Sequence, residues 1–332
     1  MTNPERDPDE LILEPCGASG SVEILSPREV PLGGPRAMRV RRTLPQRQRS
    51  LIGAWCFVDH YGPDDIADTG GMSVAPHPHT GLQTVSWLFT GEIEHRDSAG
   101  NQAMVRPGEV NLMTGGRGIS HSEVSTPATS VLHGVQLWVA LPDSARDADP
   151  GFAHHEPPPV TGSGWEARVF LGSLLGVTSP VPTYTSLLGA EIVLEPGASM
   201  SFEVDTGFEH GVLVDRGALG VNGHEVKQHD LAYLAPGCAS VELAAGEAPA
   251  RIMLLGGTPF GESIVMWWNF VGRSHEEIVG FREEWQAQIT RDGAVVDDSQ
   301  EAADGRFGLV VGDHLPPIPA PPMPNARLKE RR

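Results

Sequence analysis

Cysteine is scarce. The 332-residue chain has three, Cys16, Cys56 and Cys238, odd in number and widely spaced, which argues against a disulfide framework and for a reducing, cytoplasmic setting. Long apolar runs are lacking as well. None approaches the roughly eighteen residues of a helical membrane span, and the opening MTNPERDPDE is acidic and proline-containing, so neither a signal peptide nor a membrane partner is expected. Positive charge is the third shortage. Against 43 acidic residues stand 24 Lys and Arg, a formal net charge of −19, and the dense basic stretches are RVRRTLPQRQR, Arg39 to Arg49, and the terminal RLKERR. Nucleic-acid binding draws on cations that displace counterions from phosphates, so direct binding of nucleic acid is disfavoured. The Arg39 to Arg49 cluster reads as a solvated face or a holder of acidic groups.

Glycine and proline, by contrast, are plentiful at 39 and 29 residues, which suits many short strands joined by turns. The length accommodates two domains. Residues 1–20 read as a flexible leader broken by Pro4, Pro8 and Pro15; a first domain follows over 21–145, closed by the apolar run from Val131 to Leu141. The charged, proline-rich RDADPGFAHHEPPPV places a linker at 146–160, and a second domain covers 161–273. Over 274–332 the pattern changes. HEEIVGFREEWQAQI puts Ile278, Phe281, Trp285 and Ile289 at helical spacing behind Ser274 as N-cap, with Glu277 at capping-box spacing. LPPIPAPPMP, 315–324, then predicts an extended, polyproline-like strap packed across the domains.

Between Pro76 and Glu123 lie two pairs of metal-binding side chains, His77 with His79 and His121 with Glu123. Each pair has i,i+2 spacing, which on a strand projects both members to one face. Two neighbouring strands so equipped converge four ligands on one ion. Three neutral imidazoles and a carboxylate suit Fe(II), Mn(II), Ni(II), Cu(II) or Zn(II) better than Ca(II) or Mg(II). A single histidine among thirteen is ordinarily a surface or hydrogen-bonded side chain; pairing in two places distinguishes these. Such a donor set, open and without thiolates, points to catalysis or metal sensing rather than to a structural site.

These residues also carry a resemblance. HPHTGLQTVSWLFTG (77–91), RPGEVNLMTGGRGISHSE (106–123) and HGVQLWVALP (133–142) resemble, in order and spacing, the N-terminal domain of the pirin family within the cupin superfamily. GGTPFGESIVMWWNFV (256–271) resembles the family's C-terminal signature. The resemblance implies an all-β chain of two tandem cupin, jelly-roll barrels. It further implies one mononuclear iron site, Fe(II), in the N-terminal barrel, with ligands at the positions of His77, His79, His121 and Glu123. Zn, Mn, Ni and Cu are the alternatives. Gln83 departs from the family, whose members commonly have Glu there; parity from His79 points Gln83, Val85, Trp87 and Phe89 toward the metal, an apolar pocket for an aromatic ligand.

The stretch from His210 to Gly237 repeats the strand and turn order of Phe89 to Gly116, which predicts an internal duplication. Its ligands are missing: Glu242 registers on His121 and Ala244 on Glu123, and His210, His224 and His229 read as structural. The second barrel is therefore expected to be metal-free.

The activity implied by the resemblance is that of a quercetin 2,3-dioxygenase, which opens a flavonol with O2 and releases carbon monoxide. Glu123 would serve both as ligand and as the base that takes the proton of the substrate hydroxyl. The rival reading is a non-enzymatic regulator whose metal state sets its affinity for a protein partner.

Overall fold

A computed structural model describes residues 22–32, 38–291, 294–295 and 305–331. The leader 1–20, with Cys16, lies outside them. The chain forms two barrels of one plan. In the first, a seven-stranded sheet has the order Gly151–His155, Val110–Thr114, Leu82–Thr90, Val131–Ala140, Trp55–Asp65, Met38–Leu44, Arg28–Leu32. Its four-stranded companion has the order Ser73–His79, Ile119–Ser125, Ile93–Asp97, Gln102–Val105. In the second barrel the long sheet runs Val22–Leu25, Leu231–Leu234, Glu209–Arg216, Ala250–Gly257, Leu187–Leu194, Trp165–Leu171, Val160–Gly162. The short one runs Ser199–Glu203, Ser240–Ala245, Leu219–Val221, His224–Val226. The duplication expected from the sequence is thus a repeat of both sheets in the same order.

Sheet membership departs from the linear division at two places. Val22–Leu25, assigned above to the first domain, pairs with Leu231–Leu234 of the second, and Gly151–His155, inside the assigned linker, pairs with Val110–Thr114 of the first. The two partner strands are equivalent in the two barrels, and both are buried along their length. Left uncovered, either would expose a row of unpaired backbone groups at a sheet edge. Local sequence holds no signal for such pairing, because the partners lie far apart in the chain.

The long sheets pack face to face. Their shared core joins Val85, Trp87, Leu112, Val135 and Leu137 of the first barrel to Phe170, Leu213 and Leu255 of the second. Trp87 stacks on Phe170 at 4.8 Å, and the indole N–H of Trp55 donates toward Leu188 O and Gly256 O at 3.2 and 3.1 Å. Gly53, at φ 52, lets the two backbones meet: a Cβ there would stand 2.7 Å from Gly257 Cα.

The helix His275–Ile289 begins where the sequence places it, with Ser274 Oγ accepting from Glu277 N at 3.1 Å. The reciprocal bond falls one residue earlier, Glu277 Oε2 accepting from Arg273 N at 2.7 Å. Ile278, Trp285 and Ile289 are buried and Phe281 packs beside them. The segment 315–324 lies on this helix and on the first barrel: Trp285 Nε1 donates to Ile318 O at 2.9 Å, and Ile318 N to Pro76 O at 2.8 Å. The basic stretch is taken up by the chain's own acids, Arg39 by Glu29, Arg42 by Asp59 and Arg49 by Glu23 and Glu209.

Candidate metal centre

Ser73–His79 and Ile119–Ser125 are antiparallel neighbours with His121 directly opposite His77. His77, His79, His121 and Glu123 are all buried. Ligand atoms of His77, His79 and His121 lie within 4.8 Å of one another. Glu123 falls into an adjoining triad, with His95 and His121, at the same mutual spacing. Against Ile93–Asp97 the pairing is regular, with His121 opposite Asp97 and Glu123 directly opposite His95. Against Ser73–His79 a β-bulge shifts the register between His121 and Glu123, so that Glu123 stands opposite Val74 on that side.

The ring nitrogens are already sorted. His77 Nδ1 lies 2.9 Å from Ala75 O and His79 Nδ1 lies 3.0 Å from Asn269 O, so each donates there and turns an Nε2 lone pair inward. Anchoring the remote nitrogen in this way fixes tautomer and ring orientation in metal-ligating histidines. His121 Nε2 stands 3.1 Å from His79 Nε2, while its Nδ1 stands 3.4 Å from His95 Nδ1. Two imidazole nitrogens that close need a proton or a cation between them. The donor set therefore fits a first-row divalent ion.

Burial supplies the electrostatics. It lowers His77 to about 4, and burial with neighbouring imidazoles takes His79 and His121 well below the ordinary value. All three are neutral, ligand-ready imidazoles at neutral pH. Burial raises Glu123, against the opposing influence of His95 and the Ser86 hydroxyl 3.1 Å from its Oε1.

His95 escaped the sequence reading. A signal was present: His95 and Asp97 have the same i,i+2 spacing as the two ligand pairs. Asp97 Oδ2 lies 3.4 Å from His95 Nε2, and Asn101 donates to the same carboxylate. Burial pushes Asp97 up, but the hydrogen bonds from His95 and Asn101 prevail and hold it below the ordinary carboxylate value.

Family models match both halves of the chain, Pirin over residues 37–139 and Pirin C-terminal cupin domain over 189–290. A Pseudomonas aeruginosa protein provisionally named quercetin 2,3-dioxygenase is 42% identical, covering 90% of this chain and 89% of its own length. The chain belongs to the pirin family. A pirin-like protein of Caulobacter vibrioides is 37% identical over 75% of the chain and 88% of its own. Among solved structures, quercetin 2,3-dioxygenase from Acinetobacter baumannii superposes with a TM-score of 0.83 at 36% identity, covering 92% of this chain and 96% of that one.

In this pirin the expected pocket wall faces the other way. Val85 and Trp87 belong to the core between the barrels, Trp87 Nε1 reaches Glu191 Oε2 of the second barrel at 3.2 Å, and Phe89 packs on His60 and His133. Gln83 shares that face, its Nε2 donating to Thr114 Oγ1 at 3.0 Å. Ser86, of opposite parity, is the residue that reaches Glu123. Parity from His79 fails because the chain changes sheets between His79 and Leu82. Gly81, at φ 67, makes the corner, and a Cβ there would meet Val271 O at 2.3 Å. The aromatic ring beside the ligands is instead Trp138, edge-on to His79 at 5.1 Å.

The second barrel needs a parallel correction. Glu242 and Ala244 are exposed, and the inward positions of the strand equivalent to Ile119–Ser125 are Val241 and Leu243, cross-strand from Phe202 and Met200. Apolar side chains occupy the whole region where the first barrel has donors. Of the remaining histidines, His224 is exposed, His210 is buried, and His229 joins a cluster between the barrels. There Asp215 Oδ1 stands 2.7 Å from His60 Nε2 and 2.6 Å from His133 Nε2, with Arg251 3.6 Å from the other oxygen and the His229 ring 5.1 Å from that of His60. His60 Nε2 and His133 Nε2 lie 3.3 Å apart, but both point at one Asp215 oxygen able to accept from them, and Arg251 supplies the positive charge, so this group reads as an interdomain hydrogen-bond cluster.

Proposed function

We propose that the chain is a metal-dependent dioxygenase, a quercetin 2,3-dioxygenase that opens a flavonol with O2 and releases carbon monoxide. One divalent ion, Fe(II), would be held by His77, His79, His121 and Glu123. The observation that carries the reading is the convergence of three neutral imidazoles, two of them with Nδ1 tied back to backbone carbonyls, beside a buried carboxylate. The names borne by the Pseudomonas and Acinetobacter relatives support the substrate class. When bound, the ion supplies Lewis acidity at the substrate oxygen and the redox partner that O2 needs.

The protein's own part is proton handling and shape. Glu123, raised by burial, takes the proton of the substrate hydroxyl at a carboxylate oxygen while Ser86 holds Oε1 in place. Trp138 offers an aromatic wall next to His79. Iron-loaded protein given quercetin in air tests the assignment: oxygen uptake with one carbon monoxide released per O2 is expected. No uptake would overturn it and favour the regulator.

A further inference from the structure

Against Trp138, with no residue of the ligand strands in its lining, lies a cavity of about 450 Å3 lined by Arg28, Arg42, Arg331, Phe57, Trp138 and Trp268, together with prolines of the tail. None of its lining residues is acidic, in a chain of net charge −19. Arg42 is neutralised, its Nε and Nη2 meeting Asp59 at 2.6 and 2.7 Å. Among the described residues the other two have no carboxylate partner of their own, although Asp59 attracts Arg28 from a distance. Arg28 donates to a neutral carbonyl, Pro45 O, at 3.0 Å. Arg331 is anchored by its backbone, in a bridge with Ile264 at 2.7 and 2.9 Å, and among the described residues no carboxylate meets its guanidinium. Burial and then a neighbouring guanidinium depress both arginines, for Arg28 against the opposing pull of Asp59, a cost that an anion between them would offset.

The walls specify the rest of the ligand. Phe57 and Trp138 stack at 4.1 Å, and Trp268 is held at φ 52, a backbone region that bulky residues rarely adopt. Guanidinium pairs match planar carboxylates, and aromatic walls match a ring. We propose that this cavity binds a small aromatic carboxylate, its carboxylate between Arg28 and Arg331 and its ring against Trp138 and Trp268. Two contacts join the cavity wall to the metal centre: Trp138 meets His79 edge-on, and the turn at Trp268 presents Asn269 O to His79 Nδ1. The site stands whether or not the metal centre is a dioxygenase.

Calorimetric titration of the metal-loaded protein with 1-naphthoate, 1-naphthamide and inorganic phosphate tests it. One naphthoate per chain is expected, with the neutral amide and phosphate at least about tenfold weaker, since a charge-assisted pair and the ring each contribute about that much. Arg331→Gln and, separately, the rim variant Arg28→Gln should each weaken naphthoate about tenfold with metal content unchanged. Equal binding of the amide, tighter binding of phosphate, or naphthoate affinity untouched in both variants, as for binding at the metal itself, would overturn the assignment.

Discussion

Glu123 and His95 stand directly opposite each other on adjacent antiparallel strands, in a register that runs unbroken from His121 opposite Asp97 to Ser125 opposite Ile93. His95 in turn rests against Asp97, which Asn101 holds. The carboxylate proposed as the fourth ligand thus faces a chain of three residues on and beside one strand.

His95→Ala should therefore loosen the ion about ten- to a hundred-fold, the usual cost of losing a partner that orients a ligand. Competition with a chelator of known affinity measures it. His95→Gln, which retains a hydrogen-bonding group toward Asp97, should recover part of the loss.

Glu123→Gln separates ligand from base. An amide still offers an oxygen to the ion but takes no proton, so turnover normalised to metal content should fall about a hundred- to ten-thousand-fold. Single-turnover flavonol oxidation reads this directly, and a near-normal rate would refute the base assignment.

Asp215→Ala strands His60 and His133 without the shared carboxylate that joins the barrels. Breaking a buried charged cluster by removing one partner costs about 3–5 kcal/mol. The midpoint of urea unfolding should shift accordingly, while a rim pair such as Arg39 with Glu29 should be nearly silent on Arg39→Ala.

Acid should weaken the fold in a defined window. Burial lowers His210 and His229 to about 4, so between about 6.5 and 4 the unfolded chain takes up protons that the native one does not. Stability is accordingly full above that window and falls with pH through it, by roughly 3 kcal/mol for the fully buried His210. Asp215 acts lower down. Burial alone would raise it, but the hydrogen bonds from His133 and His60 hold it well below the carboxylate range, so its contribution is lost only below the unfolded value. Unfolding midpoints measured from pH 7.5 to 4 test the slope; a flat profile would contradict it.

Much of the candidate centre was legible because its proposed ligands are local pairs: strand spacing alone groups His77 with His79 and His121 with Glu123. The helix from His275 was legible for the same reason, a periodic stripe behind a capping serine. Legibility ended where local parity was carried across a corner. From His79 to Phe89 the chain changes sheets at Gly81, so every pocket residue inferred beyond it was assigned to the wrong face. Contacts between distant segments left no trace in spacing at all; Asp215 meets His60 across 155 positions, and Val22–Leu25 joins the far barrel. His95 lay between these cases, paired with Asp97 at the right spacing but outside the motifs.

The central claim is a single metal centre in the first barrel, and elemental analysis of untagged protein tests it most directly. The account predicts one first-row divalent ion per chain, and its loss in a His77→Ala, His121→Ala double variant that keeps its fold by circular dichroism. Undiminished metal in that variant, or two equivalents bound by the wild type, would contradict it.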